Sequence, residues 1–400
     1  MPNQPRTSAV LLGTVSGLAL ALVGFGTPAR ATTWTVVSTP NKGTIANALY
    51  GVTALSATSA WAVGSWYDTS VAAPRTLVLR WNGTAWSVVT SPNSTPYYNE
   101  LYAVAATSAT DAWAVGYANG SSGVNGAPQN SLVLHWNGTA WSVVGTPNPG
   151  VASRQLTGVA AIAANNAWAV GWYYESFSPA FLDGLVLHWT GSAWTQVSVP
   201  VPGTYLNQLY AVSATSASDV WAVGTYADSG EKAGVRHPLA VHFNGTAWTV
   251  TPMPAPSVGT AYLRAVKAIA PNDVWAVGSK AGYSTPVAYH WNGTAWAEVP
   301  TPAVGGTGNN LFYGVSALST SQVWAVGYTF AGSGPQPLVE RWNGTAWSVE
   351  PTGTLDLGGM ALATAAVPGT TPSVWVTGSR TAYVGGSFAD RTFAMRGTGN

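Results

Sequence analysis

The word Trp-Ala-Val-Gly occurs at Trp61, Trp113, Trp168, Trp221, Trp275 and Trp324, and returns as Trp-Val-Thr-Gly at Trp375. Successive copies lie 49–55 residues apart. A period of that length is one supersecondary unit, and such units bury their apolar faces only against one another. A second tryptophan recurs in phase at Trp86, Trp141, Trp194, Trp248, Trp296 and Trp347, with a matching Trp34 near the start. A third recurs at Trp81, Trp136, Trp189, Trp291 and Trp342, with Phe243 standing in once. These places take all of the 21 tryptophans except Trp66 and Trp172.

Each unit reads as four short strands. In the second unit they are Leu101 to Ser108, Ala112 to Tyr117, Leu132 to Trp136 and Thr139 to Val144. β-branched and aromatic residues dominate, turn residues end each run, and no helical period is present. Asn137-Gly138, between the third and fourth strands, predicts a tight type I′ turn. A lone four-stranded sheet with two apolar faces cannot bury itself, whereas radial stacking covers both faces. The expected fold is therefore all-β, a seven-bladed β-propeller with four antiparallel strands per blade over residues 32–400. The last unit ends on "TFAMR" (Thr392 to Arg396) with no fourth strand after it, and Thr33 to Val37 is the matching piece at the other end. Closure by pairing of the N- and C-terminal strands is expected.

Charged residues are only 7% of the chain and aromatic residues 12%, with no lysine or arginine cluster. That excludes the electrostatic footprint of a nucleic-acid binder. Arg6, the apolar run Ala9 to Phe25 and the small-x-small pattern Ala29-Arg30-Ala31 read as a signal peptide over residues 1–31. The expectation is a secreted, extracellular, monomeric protein with no membrane attachment after cleavage. The Ala- and Gly-rich composition and short signal read as bacterial. With no cysteine, stability has to come from packing rather than disulfides.

The unit resembles the kelch type of β-propeller repeat, as in the galactose oxidase central domain. The stretch Val220 to Pro256 carries the likeness: "VWAVG", a variable loop, "LAVHF", "NG", "TAWTV", then "TPMPAP". One glycine ends the second strand where kelch units usually carry two. The resemblance implies a propeller over residues 32–400. It does not carry over the copper chemistry, which uses a Tyr–Cys cross-link.

Four histidines, His135, His188, His242 and His290, hold one repeat position, shared with Arg80, Arg341 and Arg396. One such residue per blade cannot converge on a single ion, so neither metal nor cofactor is expected. Asn-Gly-Thr at Asn82, Asn137, Asn244, Asn292 and Asn343 is read as turn chemistry rather than glycosylation. Asp111, Asp219 and Asp273 suit turns before the second strand. The irregular carboxylates are Asp68, Glu100, Glu175, Asp183, Asp228, Glu231 and Asp390, and nothing in the sequence pairs two of them for glycoside hydrolysis.

Loops between second and third strands, and between units, differ in every unit, and in an up-and-down sheet they share one face. Variable loops on a rigid scaffold are where recognition sits. Trp66, Tyr67, Tyr97, Tyr98, Trp172, Tyr173, Tyr174 and Tyr205 fall there and form the expected ligand platform. Asn47, Asn99, Asn207 and Asn310, two residues before the first strand proper, are expected to ring the channel mouth. The function expected is a non-catalytic binding module for extracellular carbohydrate. The alternatives are a propeller glycoside hydrolase or polysaccharide lyase, and a protein-binding surface scaffold.

Overall fold

The computed structural model describes residues 32–399 apart from 121–127, 178–179, 232–233, 258, 281–283, 303, 305–308, 332–333, 353–357, 370–372 and 385–386. The segment read as a signal peptide lies outside the described residues. Every regular element described is a β-strand. The strands form antiparallel sets of four, and the second repeat orders them as Tyr98–Ser108, Asp111–Asn119, Asn130–Trp136 and Trp141–Val143. Five sheets have four strands. One eight-stranded sheet holds the third and fourth repeats, joined by the single parallel bridge Leu182↔Leu206. Thr33–Val37 pairs with Ser387–Thr398, Trp34 opposite Gly397, in the sheet that holds Trp375.

The first strand of each repeat lies innermost. Asn47–Ser56, Tyr98–Ser108, Arg154–Ala163, Leu206–Ser216, Ala261–Ala270, Asn310–Ser319 and Met360–Val367 pack each on the next, and the last packs on the first. This is the arrangement of a β-propeller.

The recurring tryptophans explain the packing. Side chains alternate along a strand, so the Trp of the second strand projects toward the following repeat. Trp61 meets Trp136 and Trp141 with ring centroids 5.1 and 5.3 Å away. Trp113 meets Trp189 and Trp194 at 4.8 and 5.1 Å. Trp375 meets Trp81 and Trp86 of the first repeat at 5.0 and 5.1 Å, so this joint is built like the others. The histidine or arginine directly across the ladder covers the same Trp. His188 stacks on Trp168 at 4.1 Å, and Arg80 lies 5.0 Å from the Trp61 ring. His135, His242 and His290 also bond Asp111, Asp219 and Asp273 at 2.7, 2.6 and 2.9 Å. These aspartates orient the imidazoles on the tryptophans, a role beyond turn formation.

The hairpin between third and fourth strands corrects one expectation. It is not a two-residue type I′ turn, because Asn137 does not take the positive φ that such a turn needs. Trp136 pairs with Trp141, leaving a four-residue loop. Asn137 Oδ1 accepts from the Thr139 and Ala140 amides, each at 3.0 Å, and this local side-chain bond outcompetes the tighter turn. Gly138 alone has positive φ, 98°, and a Cβ there would come within 3.0 Å of Thr110. Gly138→Val is expected to cost about 1–3 kcal/mol through backbone strain, read as a lowered denaturant midpoint.

Glu340 breaks the apolar rule. It is fully buried, and neither carboxylate oxygen has a hydrogen-bond partner among the described residues. It shares a strand face with Leu338, which packs in the layer of Trp275 and Trp347. Burial pushes its carboxyl up to about 8 from the ordinary 4.5. The folded value lies above the unfolded one, so the unfolded chain releases this proton first. This contribution is fully present below pH 4.5 and is lost as pH rises toward about 8. Denaturant midpoints should fall over that range, and Glu340→Gln should flatten the fall.

Candidate functional site

The site begins with a glycine. The Gly that ends each Trp-Ala-Val-Gly word lies under the innermost strand, where a Cβ would come within 1.8–2.0 Å of a backbone oxygen at Gly64, Gly116, Gly171, Gly224, Gly278 and Gly327. Gly378 meets the Met360 oxygen in the same way. Directly after that contact the inner strand bulges. Leu101 pairs with Gly116 and Ala103 with Val115, leaving Tyr102 unpaired. The same skip leaves Tyr50, Thr157, Tyr210, Arg264, Tyr313 and Leu362 out of their ladders. A bulge re-aims the extra side chain. All seven of these residues line one central cavity of about 160 Å³.

The ring has two charged poles. In the fifth repeat the Arg264 guanidinium lies 4.5 Å from the Tyr210 ring and 5.8 Å from that of Tyr313. In the second repeat Tyr102 donates to Glu100 Oε2 at 3.2 Å, while its ring lies edge-on to Tyr50 and stacks on Tyr117. Burial raises the Glu100 carboxyl above its usual range. Burial, reinforced by Glu100, pushes the Tyr50 hydroxyl up to about 12 and raises those of Tyr102 and Tyr117 as well. Such phenols stay protonated and act as hydrogen-bond donors, not as bases. Tyr210 donates to Gln208 Oε1 at 2.8 Å, repeating the Tyr102–Glu100 geometry with a neutral acceptor. Beside the Glu100 pole a second cavity, about 230 Å³, is lined by Tyr50, Ser65, Tyr67, Glu100 and Asp390.

The asparagines do not ring the mouth. Asn47, Asn99, Asn207 and Asn310 are 0–3% exposed. Asn47 Oδ1 accepts from the Lys42 and Gly43 amides at 3.0 and 2.8 Å, and its Nδ2 donates back to Gly43 O. Asn99 holds the Ser94 and Thr95 amides and donates to Tyr97 O, and Asn207 brackets Gly203. Asn310 donates to Ser284 O and accepts from the Thr329 hydroxyl. A buried amide must be satisfied, and here loop backbone groups, joined at Asn310 by the Thr329 hydroxyl, satisfy it, which corrects the channel-mouth expectation.

The platform residues are dispersed. Tyr173 is a core residue, 7% exposed, with its hydroxyl 3.4 Å from the Asp183 carboxylate, which corrects its placement on the open face. Trp172 and Tyr174 meet edge to face at 5.9 Å and pack on Leu182, Leu206 and Ala227. Trp66 is half-buried, with the Lys42 ammonium 4.8 Å from its ring. Tyr97 and Tyr98 are half-buried, and Tyr205 is exposed. Tyr67 alone of the eight lines the cavity beside Glu100. Sequence reasoning missed the bulge ring. Its signal was present as the residue after Leu in "LYGV", "LYAV" and "LRAV".

No protein-family model and no curated protein matches the chain. Solved structures do resemble it. A protein of unknown function from Dyadobacter fermentans superposes with TM-score 0.54 at 12% identity, over 93% of this chain and 99% of that one. YCF48 bound to a D1 peptide gives 0.50 at 12% identity, over 93% and 98%. The PL25 polysaccharide lyase, an ulvan lyase bound to -[GlcA(1-4)Rha3S]-, gives 0.51 at 8% identity, over 91% and 93%. The likeness establishes the β-propeller fold and nothing finer.

The surroundings of Trp172 and Trp66 generate a test. Trp172→Ala should lower stability by about 2–4 kcal/mol because the ring packs on a small apolar cluster. Trp66→Ala should cost a similar amount, because its half-buried ring packs on the core cluster that holds Leu49, Leu77 and Trp81. Urea unfolding of both variants checks this.

Proposed function

We propose that the chain is a secreted, non-catalytic, seven-bladed propeller that binds extracellular carbohydrate at the variable-face end of its channel. The blade count divides the eight-stranded sheet at its single bridge, Leu182↔Leu206, and takes Thr33–Val37 as the closing outer strand. The observation that carries the binding reading is the bulge ring: four tyrosines, one threonine, one arginine and one leucine aimed from all seven inner strands into one cavity. Aromatic faces stack on the C–H faces of sugar rings, while hydroxyls and amides such as Gln208 hydrogen-bond to them. The Tyr50 hydroxyl, held protonated by burial, suits donation to a ligand rather than proton abstraction. A kelch-like ancestry accords with the repeat order and is part of the same reading.

The test is retention of the purified chain on a panel of immobilised polysaccharides. Tyr210→Ala and Arg264→Met should each weaken retention at least tenfold, about 1.4 kcal/mol, with little change in melting temperature. Wild-type retention in both variants sinks the reading.

A second reading, glycoside hydrolysis, has one observation in its favour. Glu100 and Asp390 line the same cavity, and Glu100 has the raised carboxyl that a general acid requires. Glu100→Gln separates the two. A binding protein keeps its retention and shows no hydrolysis in either form. A hydrolase loses turnover while still holding its polysaccharide.

A further inference from the structure

At the opposite end of the channel, beside the short loops that vary little between repeats, lies a larger cavity of about 650 Å³. Its lining includes Thr53, Lys267, Ser316, Gln322 and Thr364, and Lys267 is the one charged residue among the lining residues. In every repeat the inner-strand residue opposite the recurring Trp holds this register: Thr53, Ala105, Ala160, Ser213, Ser316 and Ala365 elsewhere, Lys267 in the fifth. Six repeats keep a small side chain there. The fifth places a long cation across the sixth repeat and into the cavity.

Among the described residues Lys267 has neither a hydrogen-bond nor an ion-pair partner. Lys267 is half-buried, and burial lowers its pKa. The cavity lining offers its ammonium no counter-charge, and an anion entering the cavity supplies one. The hydroxyls beside it are directional. Thr364 Oγ1 donates to Trp375 O at 2.9 Å, so its 3.0 Å contact with Ser316 takes the Ser316 proton. Ser316 is left facing the cavity as an acceptor, suited to a ligand hydroxyl and unsuited to a second anionic oxygen.

We propose that this cavity is a second binding site, for a small monoanionic hydroxy-carboxylate, with Lys267 as its counter-ion and Ser316 as acceptor for a ligand hydroxyl. One cation matches one carboxylate, and the volume accommodates a sugar-acid monomer. A carboxylate beside Lys267 favours its ammonium form, so binding strengthens as pH falls through the range in which the lysine titrates.

Calorimetric titration of the full chain with galacturonate, galactose and acetate tests the site. Galacturonate should bind at least tenfold more tightly than either of the others. Lys267→Met should lower galacturonate affinity at least tenfold. Ser316→Ala should bring galacturonate down toward acetate. The proposal is overturned if wild type binds no galacturonate or if Lys267→Met binds as wild type. Circular dichroism melts confirm that each variant is folded before titration.

Discussion

Everything in this molecule rests on one contact, a tryptophan from one repeat set against two large aromatic rings of the next. Trp168 shows it with Phe243 and Trp248 at 4.9 and 5.3 Å, and Trp275 with Trp342 and Trp347 at 4.9 and 5.1 Å. The second strand is too narrow to bury such a ring alone, so burial belongs to the joint between repeats. A histidine or arginine from the same sheet closes the other side of the ring. Removing one of these tryptophans would cost roughly 3–5 kcal/mol, a large part of the stability of an ordinary domain. The joints replace disulfides in a chain without cysteine.

The same four-residue word sets the channel. Its tryptophan faces the neighbouring sheet, and its glycine lies against the backbone of the innermost strand. Alanine at Gly224 would place a Cβ 1.8 Å from the Gln208 oxygen, so the glycine and the close approach come together. The bulge follows at the next residue, and the bulge aims Tyr210. Packing and site are thus coupled in sequence. The motif that joins the sheets also decides which inner-strand residue faces the channel, and its identity is then free to vary between repeats.

Much of the scaffold was legible because repetition amplifies weak signals. One alternating apolar run says little, but seven in phase locate strands, hairpins and the strand displaced to the N-terminus. The site was less legible. Bulges depend on the approach of two backbones, and a chain of letters does not show that Tyr50 and Tyr102 leave their ladders while Leu49 and Leu101 stay in them. The asparagines misled for a related reason. Asn47, Asn99 and Asn207 recur because each braces an adjoining loop, and recurrence alone does not separate a buried brace from an exposed ring. The Asn-Gly turn misled because the Asn side chain, not the dipeptide's φ preference, sets the hairpin. Asp219 and His242 were both noticed, but their 2.6 Å pairing spans 23 residues.

Repetition also identifies the residues that packing does not need. An inner-strand position that alternates among threonine, alanine and serine can be filled cheaply, and stability gives no reason for lysine at 267. At the bulge position tyrosine serves four repeats, and arginine stands at 264 with its guanidinium against the Tyr210 and Tyr313 rings. Both substitutions fall in the strand Ala261–Ala270, three residues apart, and they line cavities toward opposite ends of one channel. Glu100 is the corresponding departure in the second repeat, where the fourth has Gln208. A buried or half-buried charge in an apolar ring lowers stability unless something compensates. The neighbouring repeats hold uncharged residues in the same registers. The charges at Glu100, Arg264 and Lys267 are therefore departures that the fold of a repeat does not require, and the two proposed binding sites rest on them.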